Sequence, residues 1–219
     1  RRSGSSPILK TNHRPIIGPA LSPPSAGVPM SDQPKPVPSK KFGPKLMLGA
    51  AALVAFLAVW EGGKGAGGDS VVYEDRLASN IPTVCNGLTR HVTSTPIIVG
   101  EKWSADKCAV EEQRALINMQ LKLETCFNRP PPQSVFDMAS SHAWNFGYVA
   151  TCGSLAMQAW NRGEWELGCR RLAFSDGGNP VWSYVKTGRV VNGKPEMKFV
   201  RGLANRRQAE FKDCVKGLP

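Results

Sequence analysis

The first 84 residues contain no cysteine. The six that follow (Cys85, Cys108, Cys126, Cys152, Cys169 and Cys214) form no Cys-x-x-Cys pair. Zinc sites usually rest on such short pairs, so the pattern argues against a metal centre. Acidic residues are nearly missing from residues 1–45, where Asp32 stands alone against eight Lys/Arg, giving 8 − 1 = +7. The apolar run over residues 46–60 is fifteen residues long. That is short of the eighteen or so that mark a confident membrane-crossing helix. No internal repeat is found, which argues against solenoids and propellers.

What is present is an ordinary globular mix, with 41% apolar and 21% charged residues over 219 positions. Wholesale disorder and collagen-like structure are excluded. The net charge of +11 suggests nucleic acid, a membrane surface or an acidic polymer as partner. Yet residues 46–219 carry only 20 − 16 = +4, and ten of the 18 prolines lie in the first 45 residues. The basicity belongs mainly to a Pro-rich tail, and a nucleic-acid reading, resting on charge alone, is set aside. Proline interrupts the tail too often for helix or strand, so disorder is expected there. Met30 is the first methionine and a candidate start, which would make residues 1–29 an upstream or added extension.

Residues 46–60 carry no charge, follow Lys40, Lys41 and Lys45, and run into Glu61. A basic stretch before an apolar one is the pattern of an export signal. Fifteen helical residues span roughly 22 Å, less than a hydrocarbon core of about 30 Å. No Ala-x-Ala cleavage site is clear, so an uncleaved anchor that enters the membrane and later leaves it is expected. A buried core helix is the competing reading. Residues 62–69 read as a Gly-rich linker. Strands are expected at Val71–Tyr73 and Thr83–Cys85. A helix should start at Ser104 as N-cap, carry Val110, Leu116, Ile117, Leu121 and Leu123, and end at Pro130-Pro131-Pro132. Further helices are expected over about 133–145, 154–161, 164–173 and 202–215, with a hairpin turning at Asn192-Gly193. An even cysteine count behind an export signal implies an oxidising compartment and up to three disulfides, with fifteen connectivities open.

Four motifs occur in order. The first is Trp60-Glu61-Gly62, then Tyr73-Glu74-Asp75, then Thr83 through Gly87 and Thr89. The second is Trp144-Asn145-Phe146-Gly147. The third runs from Cys152-Gly153-Ser154-Leu155 to Asn161-Arg162-Gly163-Glu164, and the fourth is Gly202-Leu203-Ala204-Asn205-Arg206-Arg207 with Glu210. Over about residues 60–215 the chain thereby resembles the phage-type lysozymes of glycoside hydrolase family 24. The resemblance implies a predominantly helical α+β fold, two-lobed, with a small β-lobe over about 70–100 and a long helix from 104 into a helical lobe.

The family's catalytic triad falls on Glu61, Asp75 and Thr83. Glycoside hydrolysis needs one carboxyl kept protonated to serve the leaving oxygen, and a second carboxylate to stabilise oxocarbenium charge or activate water. Glu61 would be the acid, since the apolar run before it favours a raised pKa. Asp75 would be the second carboxylate, and Thr83 would hold the water. The resemblance implies inversion, which calls for carboxyls about 6.5–9.5 Å apart. Glu61 and Asp75 are further apart in sequence than is usual in the family, which makes Glu74 a competitor and Glu101 a more distant one. His91 and His142 are expected to be structural or groove-lining. Trp144, Trp160, Trp165 and Trp182 could stack on sugars but suit a core better. Arg206, Arg207 and Glu210 suggest an ion-paired helix. No cofactor or metal is implied.

With the apolar run ahead of Glu61 the resemblance extends to the signal-anchor-release endolysins of that family, and it implies a muramidase cutting the β-1,4 bond between N-acetylmuramic acid and N-acetylglucosamine in peptidoglycan. It would be a monomer, exported by the host secretion machinery and held inactive in the inner membrane by residues 46–60. Release into the periplasm would activate it. The anchor lacks cysteine, which favours activation by geometry over disulfide exchange. The resemblance also suggests a Cys169–Cys214 disulfide; of the three pairings still open for the other four cysteines, Cys85–Cys108 with Cys126–Cys152 is the one expected. The expected organisation is a tail (1–45), an anchor or first helix (46–60) and a catalytic domain (61–219). The alternative is a membrane-tethered peptidoglycan-binding protein on the same fold, its triad abolished by the lengthened loops. A lytic transglycosylase would need a single acid, so activity surviving Asp75→Asn would point there.

Overall fold

The computed structural model describes residues 46–60, 69–75 and 80–219. Glu61, residues 62–68 of the Gly-rich linker, residues 76–79 and the tail 1–45 lie outside the described residues.

The apolar run forms α1 (Ala51–Trp60). Short strands follow: β1 (Ser70–Val71), β2 (Tyr73–Asp75), β3 (Ile81–Val84), β4 (Leu88–Thr89) and β5 (Lys102–Trp103). β2, β3 and β4 make a three-stranded antiparallel sheet, and β1 pairs with β5. Helices α2 (Ala105–Glu124), α3 (Gln133–Phe146), α4 (Tyr148–Cys152), α5 (Leu155–Arg162) and α6 (Trp165–Arg170) build the larger lobe. A hairpin of β6 (Tyr184–Val191) and β7 (Lys194–Phe199) leads into α7 (Arg201–Lys216). This is the expected α+β arrangement, mostly helical, with a small β-lobe.

Ser104 caps α2 as expected, its Oγ accepting from the Lys107 N–H at 3.2 Å. The helix stops at Glu124, well before the prolines. Cys126 and Phe127 close its last turn by donating to Leu123 and Glu124 carbonyls. Pro132 instead stands at the N-cap of α3, where a missing N–H costs nothing. The buried stripe of α2 also differs from the expected one. Leu116 and Leu123 are buried, but Val110 and Leu121 are exposed, and Glu111 and Gln120 are buried in their place. Their polar groups are satisfied: Thr93 and, from α2 itself, Arg114 reach Glu111, while Gly49 and Ser140 from other segments meet Gln120. Asn192 (φ 50°) and Gly193 (φ 73°) both take positive φ, the two-residue turn that matches strand twist.

The main core gathers Phe127, Phe136, Met157, Trp160 and Leu172 between α3, α5 and α6. A second cluster, Val72, Val84, Leu88 and Trp103, lies under the β-lobe. A third holds Leu53 and Leu57 of α1 against Leu116. Trp144 of α3 is packed against both of the smaller clusters, joining α1 to the β-lobe. Three disulfides close the body: Cys85–Cys108, Cys126–Cys152 and Cys169–Cys214, the pairing expected.

Candidate active site

β2 and β3 place two of the three expected site residues. In their antiparallel register Tyr73 faces Thr83, Glu74 faces Pro82 and Asp75 faces Ile81. Opposed residues share a face, and so do residues two apart. Asp75 and Thr83 are therefore diagonal neighbours on one face of the sheet. Both are buried, at 6% and 1% exposure. Glu74 falls on the other face and is exposed, which removes it from that pair.

The Thr83 hydroxyl donates to the Ile81 carbonyl at 2.9 Å. Its proton is committed, so the oxygen can only accept from a third party, such as a water proton. Glu101 is held by Lys107 at 2.9 Å, and that ammonium keeps its carboxyl below the usual glutamate range. A general acid at neutral pH needs the opposite shift, so Glu101 is unsuited to that role. Glu61 follows α1 directly, and its separation from Asp75 falls outside the described residues.

The β-lobe is tied to α2 through the loop after β3. The Asn86 backbone and side-chain amides donate to Glu112 at 2.8 and 3.1 Å. The Cys85–Cys108 disulfide joins the same loop to the first turns of α2.

His142 is fully buried, 2.8 Å from Thr151 Oγ1 and edge-on to Trp182. Burial, with Arg207 and Arg206 nearby, holds its pKa well below the usual histidine value, so the ring is neutral. It is structural, whereas His91 is exposed at the end of the β-lobe. Trp160 is core, with Nε1 donating to the Trp165 carbonyl at 3.2 Å; Trp144, Trp165 and Trp182 are partly buried. Arg207 and Glu210 pair at 2.6 Å with neither exposed, and the Ser141 hydroxyl donates to the same carboxylate oxygen at 2.6 Å. This buried cluster binds α7 to α3, the ion-paired helix the motif suggested.

Residues missed by sequence reasoning stand at the start of α1. Gln120 and Gln133 bind the backbone of Gly49 and Met47, and Asp137 sits beside Gln133. Each lies within a helical pattern and carries no motif, so only the chain folding back from Met47 to α3 reveals them.

A small antiparallel β-lobe, a long connecting helix and a helical lobe define a lysozyme-like fold. Solved structures with it include the endolysin of Escherichia coli O157:H7 phage FAHEc1, with a TM-score of 0.59 and 20% identity, covering 79% of this chain and 96% of that one. The muramidase domain of SpmX from Asticaccaulis excentricus aligns with a TM-score of 0.58 and 17% identity, over 80% of this chain and 100% of that one. Residues 64–210 match the phage lysozyme family, and the chain belongs to it. A relative in sequence is a SAR-endolysin of Pseudomonas phage phiKMV, 26% identical over 167 residues, which cover 76% of this chain and 88% of that protein.

Proposed function

We propose that the protein is a phage endolysin that hydrolyses the β-1,4 bond between N-acetylmuramic acid and N-acetylglucosamine in host peptidoglycan. The observation that carries this reading is the shared face of Asp75 and Thr83 in a chain of the phage lysozyme family. Glu61 protonates the leaving oxygen. The Asp75 carboxylate draws a proton from water and stabilises the positive charge that develops on the sugar. Thr83, its own proton given to Ile81, accepts from that water and fixes its orientation. With water delivered from the Asp75 side, the anomeric centre inverts. No cofactor enters this scheme.

Residues 46–60 serve as an export anchor before they serve as α1. Support comes from the basic tail ahead of them, from the SAR-endolysin relative, and from the helix itself. Leu53 and Leu57 of α1 are buried, while Val54 and Val59, on the rest of its circumference, are exposed at 48% and 76%. A helix designed only for a protein core would not keep that outer side apolar. No helix among the described residues is long and apolar enough to cross a membrane. With residues 46–50 the apolar stretch reaches fifteen residues, roughly 22 Å, a short anchor suited to leaving the membrane. In the membrane, residues 46–60 carry Glu61 away from Asp75, so the protein is inactive. Docking of α1 in the periplasm assembles the site.

Glu61→Gln tests the assignment in a turbidity assay on outer-membrane-stripped Gram-negative cells. Loss of a general acid should lower lysis about 10²- to 10⁴-fold with folding unchanged. Equal lysis by both proteins would sink the assignment. Lysis by neither, with binding of sacculi by both, would favour the non-catalytic binding protein.

A further inference from the structure

We propose that Gln120 and Gln133 are positioning residues: a latch that reads the backbone of residues 47–49 and sets the register of α1, and through it the place of Glu61. The inference rests on the reading of Glu61 as the catalytic acid.

Gln133 treats Met47 as a neighbouring strand would. Its Oε1 accepts from the Met47 N–H at 3.0 Å and its Nε2 donates to the Met47 carbonyl at 3.0 Å. The second proton of that amide goes to Asp137 Oδ1 at 2.8 Å, which fixes the amide's orientation. Two residues on, Gln120 Oε1 accepts from the Gly49 N–H at 2.7 Å. Gln120 has no exposed surface, and its Nε2 donates to Ser140 Oγ at 3.1 Å, whose proton goes to the Phe136 carbonyl at 2.7 Å. Each of these bonds fits the same orientation of its side-chain amide, oxygen toward the 47–49 backbone N–H. The two glutamines come from different helices, α2 and α3, so the segment is held against both.

The need for such a latch follows from the composition of α1. Its ten residues, Ala-Ala-Leu-Val-Ala-Phe-Leu-Ala-Val-Trp, are apolar on every side. Hydrophobic burial has no direction. A helix apolar all round can rotate or slide on Leu116 and Met119 and still bury comparable surface. A shift of one turn would displace residue 61 by about 5.4 Å, whereas catalytic geometry tolerates about 1 Å. Hydrogen bonds are directional, and those to Met47 and Gly49 exist in one register only. Gly49, at φ +62°, then turns the chain into the helix. Its backbone angle makes the turn, since a Cβ there would meet only Ile117, at 3.9 Å.

The test uses the full chain in its soluble form, with Gln120→Met, Gln133→Met and the double variant, which keep side-chain length without the amide. Turnover is measured on soluble peptidoglycan glycan fragments, and amide hydrogen exchange is read residue by residue. The double variant should lose about tenfold in kcat with KM within twofold. Protection should vanish at Met47 and Gly49 and fall along α1, but persist in α3 and α7. Wild-type kcat with α1 protection intact would overturn the latch. So would loss of protection in all helices together, or a change confined to KM. Glu61→Gln is run alongside and should be inactive with α1 fully protected. Should it remain active, the assignment of the acid fails, while the exchange data still decide whether the glutamines hold α1.

Discussion

Helices α1 and α3 lie against each other and are held by opposite means. All ten residues of α1 are apolar, yet one side of it stays exposed. α3 mixes polar and apolar residues, and ten of its 14 positions are buried, among them Asp137, Ser140, Ser141 and His142. The body around α3 is also closed covalently. Three disulfides span residues 85–214, and none reaches α1. α1 is kept by Leu53 and Leu57, by Phe56 with Leu46 and Leu48 against the main core, and by a few backbone bonds at its entrance. The difference separates two stabilities. The body is closed covalently, whereas α1 is held by non-covalent contacts alone, which is what the proposed role of α1 as a releasable anchor requires.

The contrast breaks most visibly at the disulfides. Replacing Cys169 and Cys214 together by alanine opens a bridge of sequence separation 45 and should cost about 4 kcal/mol by loop entropy. Calorimetry should show the whole body melting earlier, α1 with it. A variant whose melting did not change would mean that this bridge is not what holds α7. Leu53→Ala comes next, at about 3 kcal/mol for a fully buried leucine. If α1 docks as a separate unit, the loss should appear as exchange along α1 and lower activity. The melting of the body should move far less. A single cooperative shift of both would erase the distinction.

Asp137 tests the polar side of the comparison. Burial raises its pKa from 3.8 to about 6, with the Gln133 amide pulling weakly the other way. The folded chain thus holds this proton more tightly than the unfolded one. The resulting stability is complete below pH 3.8 and is lost as pH rises through about 6. Asparagine at 137 cannot ionise and still accepts from Gln133. Asp137→Asn should gain about 1 kcal/mol above pH 7 and flatten the pH dependence between the two values, measured by denaturant unfolding across pH. The smallest effect on the folded protein is expected at Val54. Val54→Lys on the exposed side of α1 should change stability by no more than about 0.5 kcal/mol. A lysine at the centre of a membrane helix costs about 3 kcal/mol. The membrane-held fraction in expressing cells should therefore fall sharply. An unchanged fraction would argue against residues 46–60 as the anchor.

Much of this was legible in the chain. Ser104 as a cap, Asn192-Gly193 as a turn and the helices expected over about 133–145 and 202–215 follow from local chemistry, because each signal is spent within a few residues of itself. The stripe of α2 was misread at Val110 and Leu121 because burial there depends on partners far away. Glu111 and Gln120 can be inside only because Thr93 and Gly49 come to meet them. α4 was missed because five residues between Gly147 and Gly153 are too few to show a period. Of the site, Asp75 and Thr83 were named by motif, but the motif could not separate Asp75 from Glu74. The pleat of β2 did so, by turning adjacent side chains to opposite faces.

By itself the sequence determined the order of the elements, the lysozyme family, and the apolar helix leading into Glu61. Those properties reside in residue types and their spacing along one chain. The tertiary structure alone decided which carboxylate shares a face with Thr83, which polar side chains can be buried, and where an otherwise featureless apolar helix stops on the body. Each of these depends on groups distant in sequence meeting at hydrogen-bond range. Directional bonds, unlike apolar contact, admit one register.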